Sequence, residues 1–238
     1  MVNEQIWFKL YHRLTEQYGS QHWWPAGSPF EVMVGAILTQ STAWQNVEKA
    51  IRNLKTGGVL SPQALAGLPT AEIARFIHPS GYYNAKTQKI KALVQWLQES
   101  FAGDLDRVFA QDIATLRRQL LGIYGVGPET ADAIILYAAN KPVFVIDAYT
   151  RRILSRLGLA ADGLSYTGLQ DLFMKSLPHE ARLFNEYHAL LVQHAKKVCR
   201  SRPLCRRCCL GDLCQSSSHD ICNSGSRSGK LSAREKKR

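Results

Sequence analysis

The stretch GIYGVGPETADAIILYAANKPVFVIDAYTRR, Gly122 to Arg152, decides the fold prediction. A helical segment ends near Gly122, a Gly-Val-Gly turn follows at residues 125–127, and a second helix begins after Pro128. Glycines let such a turn approach a ligand closely, and the amides that open the second helix can hold a phosphate. The turn alone is a weak signal, because many proteins join two helices with Gly-x-Gly.

Asp147 stands in the second half of this stretch, between the apolar run VFVI and the helical segment AYTRRIL. As a residue type, it suits the N-cap of that helix. It also suits a half-buried functional carboxylate, and one side chain can serve both roles.

Helical periodicity dominates the rest of the chain, with few alternating strand patterns, and it predicts an all-α fold. Helices are expected near the N-terminus and before the cysteines. One or two more are expected in PFEVMVGAILTQSTAWQNVEKAIRNL, and one each in NAKTQKIKALVQWLQESF and DIATLRRQLLGI. Lys86, Lys89 and Lys91 in the second of these segments fit either a DNA-contacting face or a solvated one.

The composition favours a polyanionic partner. The 238 residues suffice for one large or two modest domains, and 30 Lys and Arg against 19 Asp and Glu give a net charge of +11. This charge favours nucleic acid first and an acidic membrane surface second, with a basic protein that has neither partner as the alternative. The sequence contains no apolar run long enough to span a membrane and no secretion signal, so a cytoplasmic protein is predicted.

All six cysteines lie between Cys199 and Cys222. Four have the spacing C-x5-C-x2-C-x5-C, a short loop that can wrap a metal or a cluster: Cys199, Cys205, Cys208 and Cys214. Thiolates suit both Zn²⁺ and an iron–sulfur cluster, and free thiols are the alternative. Cys209 and Cys222 do not belong to this spacing pattern. The expected role is structural, with interleaved arginines facing phosphates.

Taken together, these parts resemble the helix-hairpin-helix DNA glycosylases of the endonuclease III superfamily. LLGIYGVGPETADAIILYA is similar to their hairpin, VFVIDAYTRRILSRLG to their segment with the catalytic aspartate, and EYHALLVQHAKKVCRSRPLCRRCCLGDLC to their helix and [4Fe–4S] loop. The resemblance covers roughly residues 28 to 214. It implies a two-domain endonuclease III-like fold: a six-helix domain at 28–140, and a second helical domain formed by 1–27 plus 141–222. A disordered basic tail is expected at 223–238.

The resemblance also assigns roles. Asp147 is expected to act on the sugar of a flipped nucleotide, where a fixed carboxylate stabilises an oxocarbenium-like state or orients water. The DNA-binding residues are expected to be Gln40, Ser41, Gly125, Val126, Gly127, Arg151 and Arg152. The four spaced cysteines are expected to hold a [4Fe–4S] cluster, although the first gap is one residue shorter than the family's usual six. His188 and His194 are expected to be core or supporting groups, not zinc ligands.

Glu129 is an informative departure from the family pattern. Bifunctional members carry a lysine there, two residues after the second glycine, whose amine attacks the sugar; a carboxylate cannot form that imine. A glycosylase without lyase activity is therefore expected, with Glu129 favoured by the helix dipole and Lys141 as a remaining nearby amine.

The base pocket is expected to contain Trp23, Trp24, Pro25 and Trp44. Tryptophans usually pack in a core, yet two adjacent indoles in HWWPAGSPF do not both fit into one. WWP followed by FEVMVGAILTQ is similar to the 3-methyladenine branch of the superfamily, where an aromatic stacks on the extruded base. A cationic alkylated purine would gain about 0.5–2 kcal/mol of cation–π attraction on an indole.

The resulting hypothesis is a monomeric, nucleoid-associated enzyme that acts on double-stranded DNA containing a damaged base. Two alternatives remain open from the sequence. One is a bifunctional glycosylase and lyase acting on oxidised or mismatched pyrimidines, and the other is a DNA-binding protein without catalysis.

Overall fold

The computed structural model describes residues 4–161 and 163–217, and all regular secondary structure within these ranges is helical. The predicted all-α fold class is thereby confirmed. Cys222 and the predicted basic tail at 223–238 lie outside the described residues. The α-helices of the described ranges are α1 (Glu4–Tyr18), α2 (Pro29–Leu38), α3 (Trp44–Thr56), α4 (Pro62–Gly67), α5 (Thr70–Ile77), α6 (Tyr83–Phe101), α7 (Leu105–Phe109), α8 (Ile113–Leu121), α9 (Pro128–Ala133), α10 (Ala148–Leu157), α11 (Tyr166–Met174) and α12 (Ala181–Lys197).

Helix α2 is the buried centre of the molecule. The Ser28 hydroxyl caps it by accepting from the amide of Glu31, and Pro29 occupies its first turn. Every residue from Phe30 to Leu38 is buried. A helix that is covered on all sides must be packed by neighbours all round, and α2 packs on α3, on α6 and on residues 134–138.

The first and the last α-helix of the described ranges pack together. Helix α1 contacts α12, and α10 also contacts α12. Trp7 is fully buried in this contact, and the Tyr187 hydroxyl donates to its carbonyl oxygen at 2.9 Å. The division into 28–140 and 1–27 plus 141–222 stays a prediction, but it requires this pairing of the N-terminal helix with the C-terminal ones.

The hairpin is formed by α8, the turn at 122–127 and α9. The Asp112 carboxylate caps α8 by accepting from the Thr115 amide. Gly125 has a φ of 79°, and a Cβ atom there would lie 2.4 Å from Cγ of Lys89. Both the backbone conformation and the close approach of Lys89 therefore call for glycine at this position. Helix α9 continues into a π-helical turn at Ile134–Ala138.

The structure adds detail to several elements of the sequence expectation. The segment 29–54, in which one or two helices were expected, forms two, α2 and α3, joined by a turn over residues 39–43. The apolar run 143–146 is a buried connection that forms no strand. Helices α4 and α7 have only six and five residues, too short for a helical period to show in the sequence.

Candidate active site

Asp147 is the N-cap of α10. Its Oδ1 accepts a hydrogen bond from the Thr150 amide at 2.7 Å, and its side chain is 13% exposed. The carboxylate lines a cavity of about 520 Å³ between the hairpin, α10 and the residues before α11. The helix fixes the position of the carboxylate, while the cavity leaves it open to a ligand.

Glu129 lines the same cavity from the first turn of α9. Glu129 is an exposed residue, but desolvation of its carboxyl group and the nearby Asp147 together raise the pKa of Glu129 to about 7. The position at which the resemblance led us to compare a lysine with Glu129 therefore holds a weak acid.

A buried network holds the hairpin against the segment that leads to Asp147. The Asp132 carboxylate is fully buried and accepts from the Arg117 guanidinium at 2.6 and 3.1 Å. It also accepts from the Tyr166 hydroxyl and the Gln170 amide, each at 2.8 Å. The Gln170 amide reaches on to the Phe144 carbonyl at 2.7 Å, three residues before Asp147. Sequence reasoning missed this network, although an acid inside the apolar run ETADAIILYAA was a signal for it.

Arg151 and Arg152 donate to backbone carbonyls. The Arg151 guanidinium donates to the Leu164 carbonyl at 2.6 Å. The Arg152 guanidinium donates to the Cys199 carbonyl at 2.9 Å and to the Ala195 carbonyl at 3.3 Å. Arg152 thus ties α10 to the end of α12, and Arg151 ties α10 to the loop before α11. Their predicted contact with phosphates stays a prediction, and for Arg152 the structural role explains the residue without it.

Gln40 joins the turn after α2 to the hairpin. Its amide donates to the Gly125 carbonyl at 3.0 Å and to the Thr130 hydroxyl at 2.9 Å, and its oxygen accepts from the Lys89 ammonium. The next residue, Ser41, is exposed and has a left-handed backbone with a φ of 53°. Of the two, Ser41 is the side chain that this arrangement presents outward.

Lys86 also holds the turn after α2 in place. Only 2% of the residue is exposed, and its ammonium donates to the carbonyls of Leu38 and Ser80, each at 2.8 Å, and to the Thr42 hydroxyl. Burial lowers the pKa of Lys86 to about 8, yet the three acceptor oxygens are suited to an ammonium. Lys86 therefore belongs to the framework of the turn and not to a solvated face.

The predicted base-pocket aromatics form one cluster. Trp44 lies 4.6 Å from Trp23 and 5.3 Å from Trp24, measured between ring centroids. Trp24, Pro25 and Trp44 line a second cavity of about 240 Å³, together with charged side chains of α2 and α3. Asp147 lines the first cavity, whereas Trp24 and Trp44 line the second. A nucleotide with its base at these indoles and its sugar at Asp147 would therefore have to span both cavities.

Two tyrosines, one before α6 and one in the hairpin turn, are largely exposed. Tyr82, in the left-handed conformation before α6, is 74% exposed, and Tyr124, in the hairpin turn, is 67% exposed. The Thr42 hydroxyl donates to the Ser80 carbonyl, which brings the turn of Ser41 beside the segment of Tyr82. Exposed aromatic side chains at such a place can stack on bases. The sequence showed the residues, but not their exposure.

The cysteine loop follows α12. Cys208 lies 3.5 Å from Nε2 of His194, the Arg156 guanidinium lies 3.3 Å from the Cys199 sulfur, and Cys214 donates to the Arg156 carbonyl. Burial, reinforced by the thiols of Cys209, Cys199 and Cys214, raises the pKa of Cys208 to about 11.

The donor chemistry of this loop suits a cluster, since partly buried thiols surround Cys208. Across residues 4–161 and 163–217, however, no group of His, Cys, Asp and Glu side chains converges as a metal site. Cys205 is disulfide-bonded in this structure, and it would have to be reduced to act as a ligand.

No helix of the described ranges is long and apolar enough to cross a membrane.

Comparison with known proteins agrees with this architecture. Residues 34–179 match a family described as HhH-GPD superfamily base excision DNA repair protein. The chain is 42% identical to a Methanocaldococcus jannaschii protein that carries the name of a DNA repair glycosylase, over 88% of this chain and 96% of the other.

Two solved structures are similar over most of the chain. The H. pylori 3-methyladenine DNA glycosylase, bound to 1,N6-ethenoadenine, has 27% identity and a TM-score of 0.71, covering 82% of this chain and 97% of that one. A non-covalent endonuclease III–DNA complex has 22% identity and a TM-score of 0.79, covering 91% and 97%, and this second likeness concerns the fold alone.

Proposed function

The chain belongs to the HhH-GPD superfamily of base excision DNA repair proteins and is a DNA N-glycosylase, and we propose that it removes alkylated purines such as 3-methyladenine without cutting the strand. The observation that supports the absence of strand cleavage is the composition of the cavity that Asp147 lines. Among the described residues that line it there is no lysine, and Glu129 stands where an amine would be needed.

In the proposed reaction, the N-glycosidic bond of a flipped nucleotide breaks and the positive charge that develops on the sugar is stabilised by Asp147. A water oxygen then bonds to C1′, and its proton passes to the carboxylate or to solvent. An alkylated purine that carries a positive charge leaves as a neutral base, so this step needs no separate acid. Asp147, already fixed by α10, faces the space where this sugar would lie.

The cluster of three indoles supports a flat, cationic base as the substrate. Stacking on an aromatic ring is worth about 1–3 kcal/mol per base, and a positive charge on the base adds cation–π attraction. The H. pylori relative is named for 3-methyladenine, which points to the same class of base. Because the indoles pack on one another here, entry of the base requires them to part.

For binding of the duplex, we propose that the Gly125–Gly127 turn contacts the DNA backbone. We propose that Ser41 and Tyr82 fill the gap left by the flipped base. The open space around Gly127 and the exposure of Ser41 and Tyr82 support this assignment. Gln40 contributes by fixing the turn of Ser41 to the hairpin.

We further propose that Cys199, Cys205, Cys208 and Cys214 hold a [4Fe–4S] cluster, with Cys205 in its reduced form. When bound, the cluster would fix the loop that Arg152 and Arg156 join to α10. Iron and sulfide in the anaerobically purified protein, with an absorbance shoulder near 400 nm, support the cluster, whereas stoichiometric zinc contradicts it.

The proposed function is tested with duplexes that carry 3-methyladenine, thymine glycol, uracil or an abasic site, incubated with the protein and analysed with and without hot alkali. The expected result is a break at the alkylated base that appears only after alkali. Breaks without alkali would show a lyase. Release of pyrimidines but not of 3-methyladenine would contradict the substrate, and release of no base would contradict the whole proposal.

A further inference from the structure

A buried histidine faces the catalytic carboxylate. His188, on α12, is 7% exposed, and its Nε2 lies 3.7 Å from Oδ2 of Asp147. Within residues 4–161 and 163–217 this nitrogen has no hydrogen-bond partner, while Nδ1 on the other side of the ring lies 2.6 Å from the Tyr137 hydroxyl. Buried polar atoms are nearly always paired, so an unpaired nitrogen directed at Asp147 needs an explanation.

The protonation of this pair follows from its surroundings. Burial lowers the pKa of His188, with Lys196 acting in the same direction and Asp147 opposing it, so the imidazole is neutral. Burial raises the pKa of Tyr137 well above its usual range, so the phenol keeps its proton. If Tyr137 donates to Nδ1, the single ring proton stands on Nε2 and faces the carboxylate. The other tautomer would set a lone pair against that negative charge.

Asp147 then has one donor facing each oxygen. The Thr150 amide holds Oδ1 at 2.7 Å, and the Nε2–H of His188 faces Oδ2. A separation of 3.7 Å is longer than a hydrogen bond, but contacts of this kind often tighten only when substrate is bound.

Tyr137 extends the same chain of contacts to the indoles. Its ring lies 5.4 Å from that of Trp24, which lines the aromatic cavity. Trp24, Tyr137, His188 and Asp147 therefore form a continuous series between the two cavities. We infer that His188, with its tautomer fixed by Tyr137, is a positioning residue that orients Asp147 toward the sugar once a base occupies the indole cluster. The inference rests on the proposed function of this site.

The first test removes one hydroxyl. Tyr137→Phe leaves the ring in place but frees the tautomer of His188, and single-turnover release of 3-methyladenine should slow roughly tenfold. Tyr187→Phe is the matched control, since it also removes one buried hydroxyl, whose hydrogen bond goes to the Trp7 carbonyl. It should lower the melting temperature to a similar extent and leave the rate unchanged. Equal rates in the two variants would overturn the inference.

The second test uses His188 itself. The amide nitrogen of glutamine can reach the place of Nε2, whereas that of asparagine reaches only the place of Nδ1. His188→Gln should therefore keep most of the excision rate, and His188→Asn should lose roughly 10- to 100-fold. Equal losses in two variants of equal stability would contradict a positioning role through Nε2.

A third measurement needs no substrate. Nitrogen NMR of the protein labelled at histidine should show His188 neutral with its proton on Nε2, and Tyr137→Phe should change that tautomer balance. A proton on Nδ1 in an active wild-type protein would overturn this inference alone. Wild-type protein that releases no base from any duplex would instead overturn the proposed function.

Discussion

Glu129 is the residue on which the proposed absence of lyase activity depends. Glu129 lines the cavity of Asp147, and its pKa is raised to about 7. Because it is a carboxylic acid, it offers no amine at any pH. The sequence alone established the residue type. The structure adds that this side chain and the Asp147 carboxylate line one cavity.

Replacement of Glu129 by lysine should create the missing nucleophile. Its amine would attack C1′, displace the base and form an imine, which borohydride reduces to a stable link between protein and DNA. We expect alkali-independent strand breaks to rise about tenfold or more over wild type, because imine formation opens the route to strand cleavage. The measurement is borohydride trapping on a gel.

Glu129→Gln is the matched control, and it should release base but form no trapped complex. A Glu129→Lys variant that folds, releases base and never traps DNA would mean that position 129 does not face C1′.

Asp132 joins several elements. Its carboxylate binds Arg117 of α8 and accepts from Tyr166 and Gln170 of α11, while it belongs itself to α9. Loss of its charge leaves the Arg117 guanidinium without its partner and weakens two other buried hydrogen bonds. Asp132→Asn should therefore lower the free energy of unfolding by about 2–4 kcal/mol, measured by urea denaturation.

Asp171→Asn is the control for the same chemical change, since Asp171 pairs with Lys175 on an exposed face of α11. Its cost should stay below about 0.5 kcal/mol. If both variants unfold at the same urea concentration as wild type, the Asp132 network does not stabilise the hairpin.

Helices with a clear apolar face were predictable, and contacts between elements were not. The periodicity of α6, α8, α10 and α12 and the aspartate caps of α8 and α10 follow from local sequence. The lysines of α6 show what local sequence leaves open. Lys86 is buried, Lys89 packs on Gly125, and Lys91 donates to three carbonyls at the end of α4, Leu65, Ala66 and Leu68. The nearest of these partners along the chain, Leu68, lies 23 positions from its lysine.

The molecule as a whole assembles its site from distant parts of the chain. The indoles stand at residues 23, 24 and 44, the carboxylate at 147, and the histidine that faces it at 188. The Gly-Val-Gly turn and Asp147 were found from the sequence because they fall in one short stretch. His188 was expected only as a core or supporting group, because its position beside Asp147 exists only after α10 and α12 have packed.

The central claim is that the charge of Asp147 drives base release, and Asp147→Asn tests it most directly. Asparagine is as good an N-cap as aspartate, so α10 and the melting temperature should be preserved while the negative charge is lost. Single-turnover release of 3-methyladenine should fall roughly 100-fold or more, with duplex affinity retained. Release at the wild-type rate by a stably folded Asp147→Asn protein would contradict the account.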